Sequence, residues 1–164
     1  VKYDCYQKRV INILAQWDAA CSRHCIAPPR DHSDFHRHVY RELNCDADAK
    51  ANLGRTSGRC FWLCTTAHTH FPCIRLYFDG SYKDGQCGSG FVMFGSTDPG
   101  KSDQDWHMIA WMSLHVLADS ITAAELEALA AAKACAAAYL QGPAVVDRFL
   151  KQYAPWSYAI DVDH

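Results

Sequence analysis

Ile74, Leu76 and Phe78 alternate with Arg75 and Tyr77, a period of two that predicts a strand ending at Asp79 against a Gly-Ser turn. Two further apolar runs, Phe91 to Phe94 and Trp106 to Leu114, read as the next strands, separated by the polar Gly/Pro stretch STDPGKSDQD at 96–105. The period then changes. From Ser120 or Thr122 onward a helix is expected, with ten alanines between 123 and 138 allowing close approach to a sheet and Leu126, Leu129 and Leu140 anchoring it. Glu125 falls in its first turns. Glu127, two residues on, points to another face and is expected to be exposed and dispensable. Near the start of the chain, Tyr6, Val10, Ile13, Leu14 and Trp17 recur at three- and four-residue intervals and predict an amphipathic helix over 3–22 that covers the sheet. Residues 26–36, with Pro28 and Pro29, read as a loop.

Composition changes this picture only modestly. At 164 residues and 49% hydrophobic content the chain is sized for one domain with a real core. No apolar run approaches a membrane span and no secretory pattern is visible, so no membrane partner is expected. Nine cysteines, an odd number, point to reduced thiols and an intracellular setting, nuclear or cytoplasmic. Net charge is −2, but residues 1–75 carry 11 Lys and Arg against 7 Asp and Glu, while 76–164 carry 5 against 11. A basic half beside an acidic one suits a phosphate backbone crossing the junction. It is equally ordinary surface variation.

Two stretches carry candidate chemistry. The first is RLYFDGSYKDGQCGSGFVMFG at 75–95 followed by DSITAAELEALAAAKACAAAYLQG at 119–142; the second is HVYRELNCDADAKANLG at 38–54. Together they resemble the ribonuclease H family, in particular its retroelement-like branch. That resemblance rests on an Asp-Gly-Ser strand end, Gly-x-Gly eight residues on, Glu within an Ala-Glu-Leu helix segment, and His38, Asn44 and Asp48 at the family's spacing. It implies an α/β fold: a mixed sheet, with an antiparallel three-strand meander plus parallel strands, flanked by helices. It also implies Asp79, Glu125 and Asp48 as ligands of Mg²⁺ or Mn²⁺, with His38 assisting proton transfer or product release. Such chemistry needs three or four carboxylates, because hydrolysing a phosphodiester builds negative charge that carboxylates stabilise only through the cations they hold. The family's third acid sits in an Asp-Ser pair after the Ala-rich helix, and this chain has none there. Asp147 stands in for it, or else Asp161 and Asp163; alternatively Pro143 starts a helix in which Asp147 is a solvated charge. Gly80, Ser81 and Asn44 flank the ligands and are candidate substrate contacts, with selection for the RNA strand resting on its 2′-hydroxyls.

The order of these motifs departs from the family's. Residues 1–59 match the family's C-terminal part, 60–73 form a packed linker or strand, and 74–164 match its N-terminal part, all expected as one domain. Either the domain is circularly permuted or the chain is a piece of a tandem array. The functional expectation is a metal-dependent endonuclease cleaving the RNA strand of RNA–DNA hybrids. The alternative is a catalytically inactive ribonuclease H-like module, binding nucleic acid or serving a structural role beside neighbouring domains of a retroelement polyprotein. A third reading, a zinc-stabilised interaction domain, draws on Cys60, Cys64, His68, His70 and Cys73, whose spacing is not that of a common finger.

Overall fold

The computed structural model describes residues 44–65, 70–98, 100, 102 and 105–153. The predicted helix over 3–22, His38, Asp161 and Asp163 lie outside them. In chain order the described elements are helix α1 (Cys45–Ser57), strands β1 (Phe61–Cys64), β2 (Cys73–Lys83), β3 (Gln86–Ser96) and β4 (His107–Val116), and helices α2 (Ile121–Gln141) and α3 (Pro143–Tyr153). The result is a mixed α/β arrangement around a four-stranded sheet of order β1-β4-β3-β2.

The expected meander is present as β2, β3 and β4, but its first turn is not where the alternation places it. Asp79 does not end a strand: β2 runs through it to Lys83, and Asp79 pairs with Gly90 in mid-ladder. The chain reverses at Asp84 and Gly85, whose φ angles of 53° and 77° suit a two-residue hairpin turn twisted in the same sense as its strands. Asp-Gly is the residue pair that such a turn favours.

Among the described residues every strand pairing is antiparallel; the parallel strands expected from the resemblance are not among them. The fourth strand comes instead from the stretch read as a linker or strand. Phe61 to Cys64 pair with Ser113 to Ala110, placing β1 beside β4.

Each face of the sheet has its own partner. On one, Phe91, Met93, Met112 and Leu114 are fully buried in a core shared with the alanines of α2, of which Ala124, Ala128 and Ala131 are equally inaccessible. Ser120 caps α2, its hydroxyl accepting from the Ala123 amide at 3.1 Å. Leu126 is 43% exposed and does not anchor the helix; the small side chains hold it close instead. Glu127 also departs from expectation: it is buried, and the Tyr153 hydroxyl of α3 donates to its Oε1 at 3.2 Å.

On the other face lies α1, which buries Ala47, Ala51 and Gly54 at helical spacing. It descends onto the glycines of β3. A Cβ on Gly88 would lie 2.1 Å from the Ala51 carbonyl oxygen, and one on Gly90 2.5 Å from the Ala51 amide nitrogen. Gly-Ser-Gly is thus a landing strip for a helix backbone, with hydrogen bonds beside it: Ser113 Oγ of β4 donates to the Lys50 carbonyl.

Candidate nucleic-acid interface

Side chains alternate along β2, so Arg75, Tyr77, Asp79 and Ser81 share the face that α1 covers. On α1 and its N-cap, Asn44, Asp48 and Asn52 recur every four residues and form one polar row. The two rows are joined at both ends. Asn44 Nδ2 donates to the Phe78 carbonyl at 3.0 Å. Ser81 Oγ donates to Asn52 Oδ1 at 2.7 Å and accepts from Arg55 Nε at 2.7 Å. Asp48 lies midway between Asn44 and Asn52, and Asp79 between Phe78 and Ser81, so these two carboxylates occupy facing positions in the rows. Both are half-buried, and Asp79 Oδ1 accepts from the neighbouring Gly80 amide at 2.8 Å.

Asn44 is the N-cap residue of α1, yet its side chain does not cap the helix. Its amide is spent on the strand instead, fixing where the helix begins along β2. Ser81 is likewise engaged, and Gly80 serves packing. A Cβ at Gly80 would lie 2.5 Å from the amide nitrogen of Glu125, so this glycine lets the first turns of α2 rest on β2. Glu125 is exposed and stands on the sheet face opposite Asp79 and Asp48. Its carboxylate would have to pass the outer edge of β2 to join theirs.

Asp147 is not brought to this place. Pro143 starts α3, as one of the two sequence readings has it, and Asp147 pairs with Lys151 at 3.0 Å one turn along that helix. Its charge, after burial itself, helps push the Cys64 thiol pKa upward, which locates it beside β1. Three strand spacings, about 14 Å, separate β1 from β2, too far for Asp147 and Asp79 to share a cation.

Carboxylate oxygens suit Mg²⁺ or Mn²⁺. Among the described residues, however, no three His, Cys, Asp or Glu side chains are grouped to hold a metal ion. A two-metal centre therefore does not fit these residues alone. The zinc reading fares no better: Cys64 lies on β1 and Cys73 opens β2 at the opposite edge of the sheet. His70 stacks on Tyr139 at 5.0 Å, and His68 lies outside the described residues.

Other functional candidates emerge only with the fold. Lys50 Nζ stands 3.7 Å from the Trp111 ring centroid; burial lowers its pKa, and the nearby Asp46 carboxylate opposes that shift. Arg55, bound to Ser81, places a cation next to Asp79's strand. Beyond the N-terminus of α1 the same sheet face opens into a cavity of about 240 Å³ lined by Asn44, Asp46, Arg75, Tyr77, Phe94 and Trp106. The four-residue spacing of Asn44, Asp48 and Asn52 is the signal that would have found the polar row. The cavity draws on two strands, the residue before a third and a helix, and has no local signature.

No helix among the described residues is long and apolar enough to cross a membrane. The chain matches no protein-family model, no curated protein and no solved structure.

Proposed function

We propose that this chain is a ribonuclease H-like module that binds nucleic acid, an RNA–DNA hybrid foremost, along the α1–β2 face. The observation that carries the reading is the Asn44–Phe78 hydrogen bond at 3.0 Å. It holds α1 in register with β2, so that Asp48 faces Asp79 and Arg55 reaches Ser81. The antiparallel meander, the following Ala-rich helix on one face and the Asn-Asp helix on the other agree with the resemblance in the motifs. Arg55, held at Ser81, supplies positive charge that a phosphate backbone needs beside the acidic pair.

A second reading, metal-dependent hydrolysis of the RNA strand, is favoured by the facing of Asp48 and Asp79. It requires a third acid: Glu125 reaching past the β2 edge, or a carboxylate from outside the described residues.

The experiment is binding and cleavage of a labelled RNA–DNA hybrid, with Mg²⁺ and with Mn²⁺, by the parent chain and by Asp79→Asn, Asp48→Asn and Glu125→Gln. Salt-sensitive binding without turnover is the expected result. Metal-dependent cleavage lost in all three variants would move the conclusion to the second reading. An affinity that is flat between low and high salt would overturn both, since neutralising phosphates releases counterions.

A further inference from the structure

We propose that the cavity at the N-terminal end of α1 is a stacking site for one unpaired base of a bound strand. This rests on the nucleic-acid reading above and adds to it a single-stranded component. Three aromatic rings from three places in the chain, Tyr77 of β2, Phe94 of β3 and Trp106 just before β4, line it together with Arg75. Their geometry is set. Tyr77 and Phe94 meet edge to face at a centroid distance of 5.9 Å, and the Arg75 guanidinium lies 4.1 Å from the Trp106 ring centroid.

Flat π-surfaces and a layered guanidinium are the groups on which proteins stack splayed-out bases, largely irrespective of sequence. At about 240 Å³ the cavity is smaller than the roughly 300–1,000 Å³ of sites that enclose whole small-molecule ligands, so it takes a ring rather than a larger molecule. Charge argues for the ring over the phosphate. Asp46 lines the cavity, and Asp46 and Asp48 both sit in the first turn of α1, where they offset the partial positive charge of the helix end. Asn44 links the cavity to the hybrid face, because it lines the one and pins the other. A strand lying along β2 past Asp79 would thus run directly to the cavity.

The test compares, by fluorescence anisotropy on the full chain, a blunt RNA–DNA hybrid with the same hybrid carrying a short single-stranded extension. The extension is expected to tighten binding by about five- to 150-fold, the range that stacking of a base on an aromatic supplies. Trp106→Ala should abolish that gain while leaving blunt-hybrid affinity unchanged, and Trp106→Phe should keep most of it. An extension that gives no gain, or a gain that survives Trp106→Ala, overturns the inference and leaves the hybrid reading intact. Failure to bind either ligand overturns both. Displacement of the extension by a free nucleoside monophosphate at comparable concentration would reassign the cavity to small nucleotides and overturn the strand-bound reading. Should Trp106→Ala not fold, photocrosslinking of the unmodified chain to an extension bearing 5-iodouracil decides the matter. An adduct at Tyr77, Phe94 or Trp106 supports the site, and adducts confined to other residues overturn it.

Discussion

Asn44 donates through Nδ2 to the carbonyl oxygen of Phe78, 34 residues along the chain, at 3.0 Å. The bond ties the start of a helix to the middle of a strand, and on its position depends whether Asp48 stands across from Asp79 or one turn away.

Replacing Asn44 with Ala is expected to lower stability by about 0.5–1.5 kcal/mol, the usual net worth of such a bond. Hybrid affinity should fall by more than this stability loss explains at full folding. Urea denaturation and anisotropy on the same preparation measure the two effects, and equal hybrid affinity in parent and variant would remove Asn44 from the interface.

Gly88→Ala should dislodge α1. The added methyl would meet the backbone of Ala51 and Arg55 rather than a yielding side-chain tip, so a loss of about 1–3 kcal/mol or more is expected. Gly85→Ala provides a contrast, since open space surrounds it and only its positive φ resists the change. A smaller drop in melting temperature for Gly85→Ala than for Gly88→Ala is the outcome to look for.

The buried Glu127–Tyr153 bond joins α2 to α3. Tyr153→Phe deletes the donor and leaves the carboxylate buried, and is expected to cost about 1–3 kcal/mol. A change within about 0.5 kcal/mol, as is normal for surface positions, would restore the view of Glu127 as dispensable.

Alkaline solution should destabilise the fold. Burial pushes up the pKa of the thiols of Cys64, Cys87 and Cys135 from an ordinary 9.0, and of the Tyr139 hydroxyl from 10.0. Groups with a raised folded-state pKa contribute stability in full below the unfolded value, and that contribution is lost as pH climbs through the folded one. Lys50, lowered from 10.5 by burial, works in the opposite direction, gaining as pH rises, but is one group against four. Denaturation midpoints are therefore expected to fall above about pH 9, with a shallower fall in Cys135→Ala because Cys135 is the most deeply buried of these three thiols. A midpoint independent of pH over that range contradicts the assignment.

Much of this arrangement could be read from local pattern, and the rest could not. The alternation of Ile74, Leu76 and Phe78 announces β2, and Ser120 with the alanines behind it announces α2, because the signals lie in neighbouring residues. The length of β2 is not announced. Asp79-Gly80-Ser81 has the composition of a turn, but Gly80 is there because α2 lies on it, a tertiary reason that masks the Asp84-Gly85 hairpin signal further on. Glu127 misleads for the same cause: its partner, Tyr153, belongs to another helix. Asp48 and Asp79 are visible as candidates through the family-like motifs, whereas the displacement of Asp147 to the β1 edge follows from strand order, which no single stretch encodes.

The docking of α1 on the glycines of β3 and on Ser113 has a consequence for synthesis. Ser113 follows Lys50 by 63 residues, so at translation rates of about 5–20 residues per second the helix segment waits roughly 3–13 s for the surface it will occupy. Thirteen residues are too few to hold a helix alone in water, and the segment must spend that interval unfolded. Its sequence, CDADAKANLGRTS, suits the wait: alanine and glycine make the eventual contact, charged, polar and small residues fill most of the remaining positions, and Leu53 is its one large apolar side chain. While it waits, this segment itself presents little for other nascent chains to stick to.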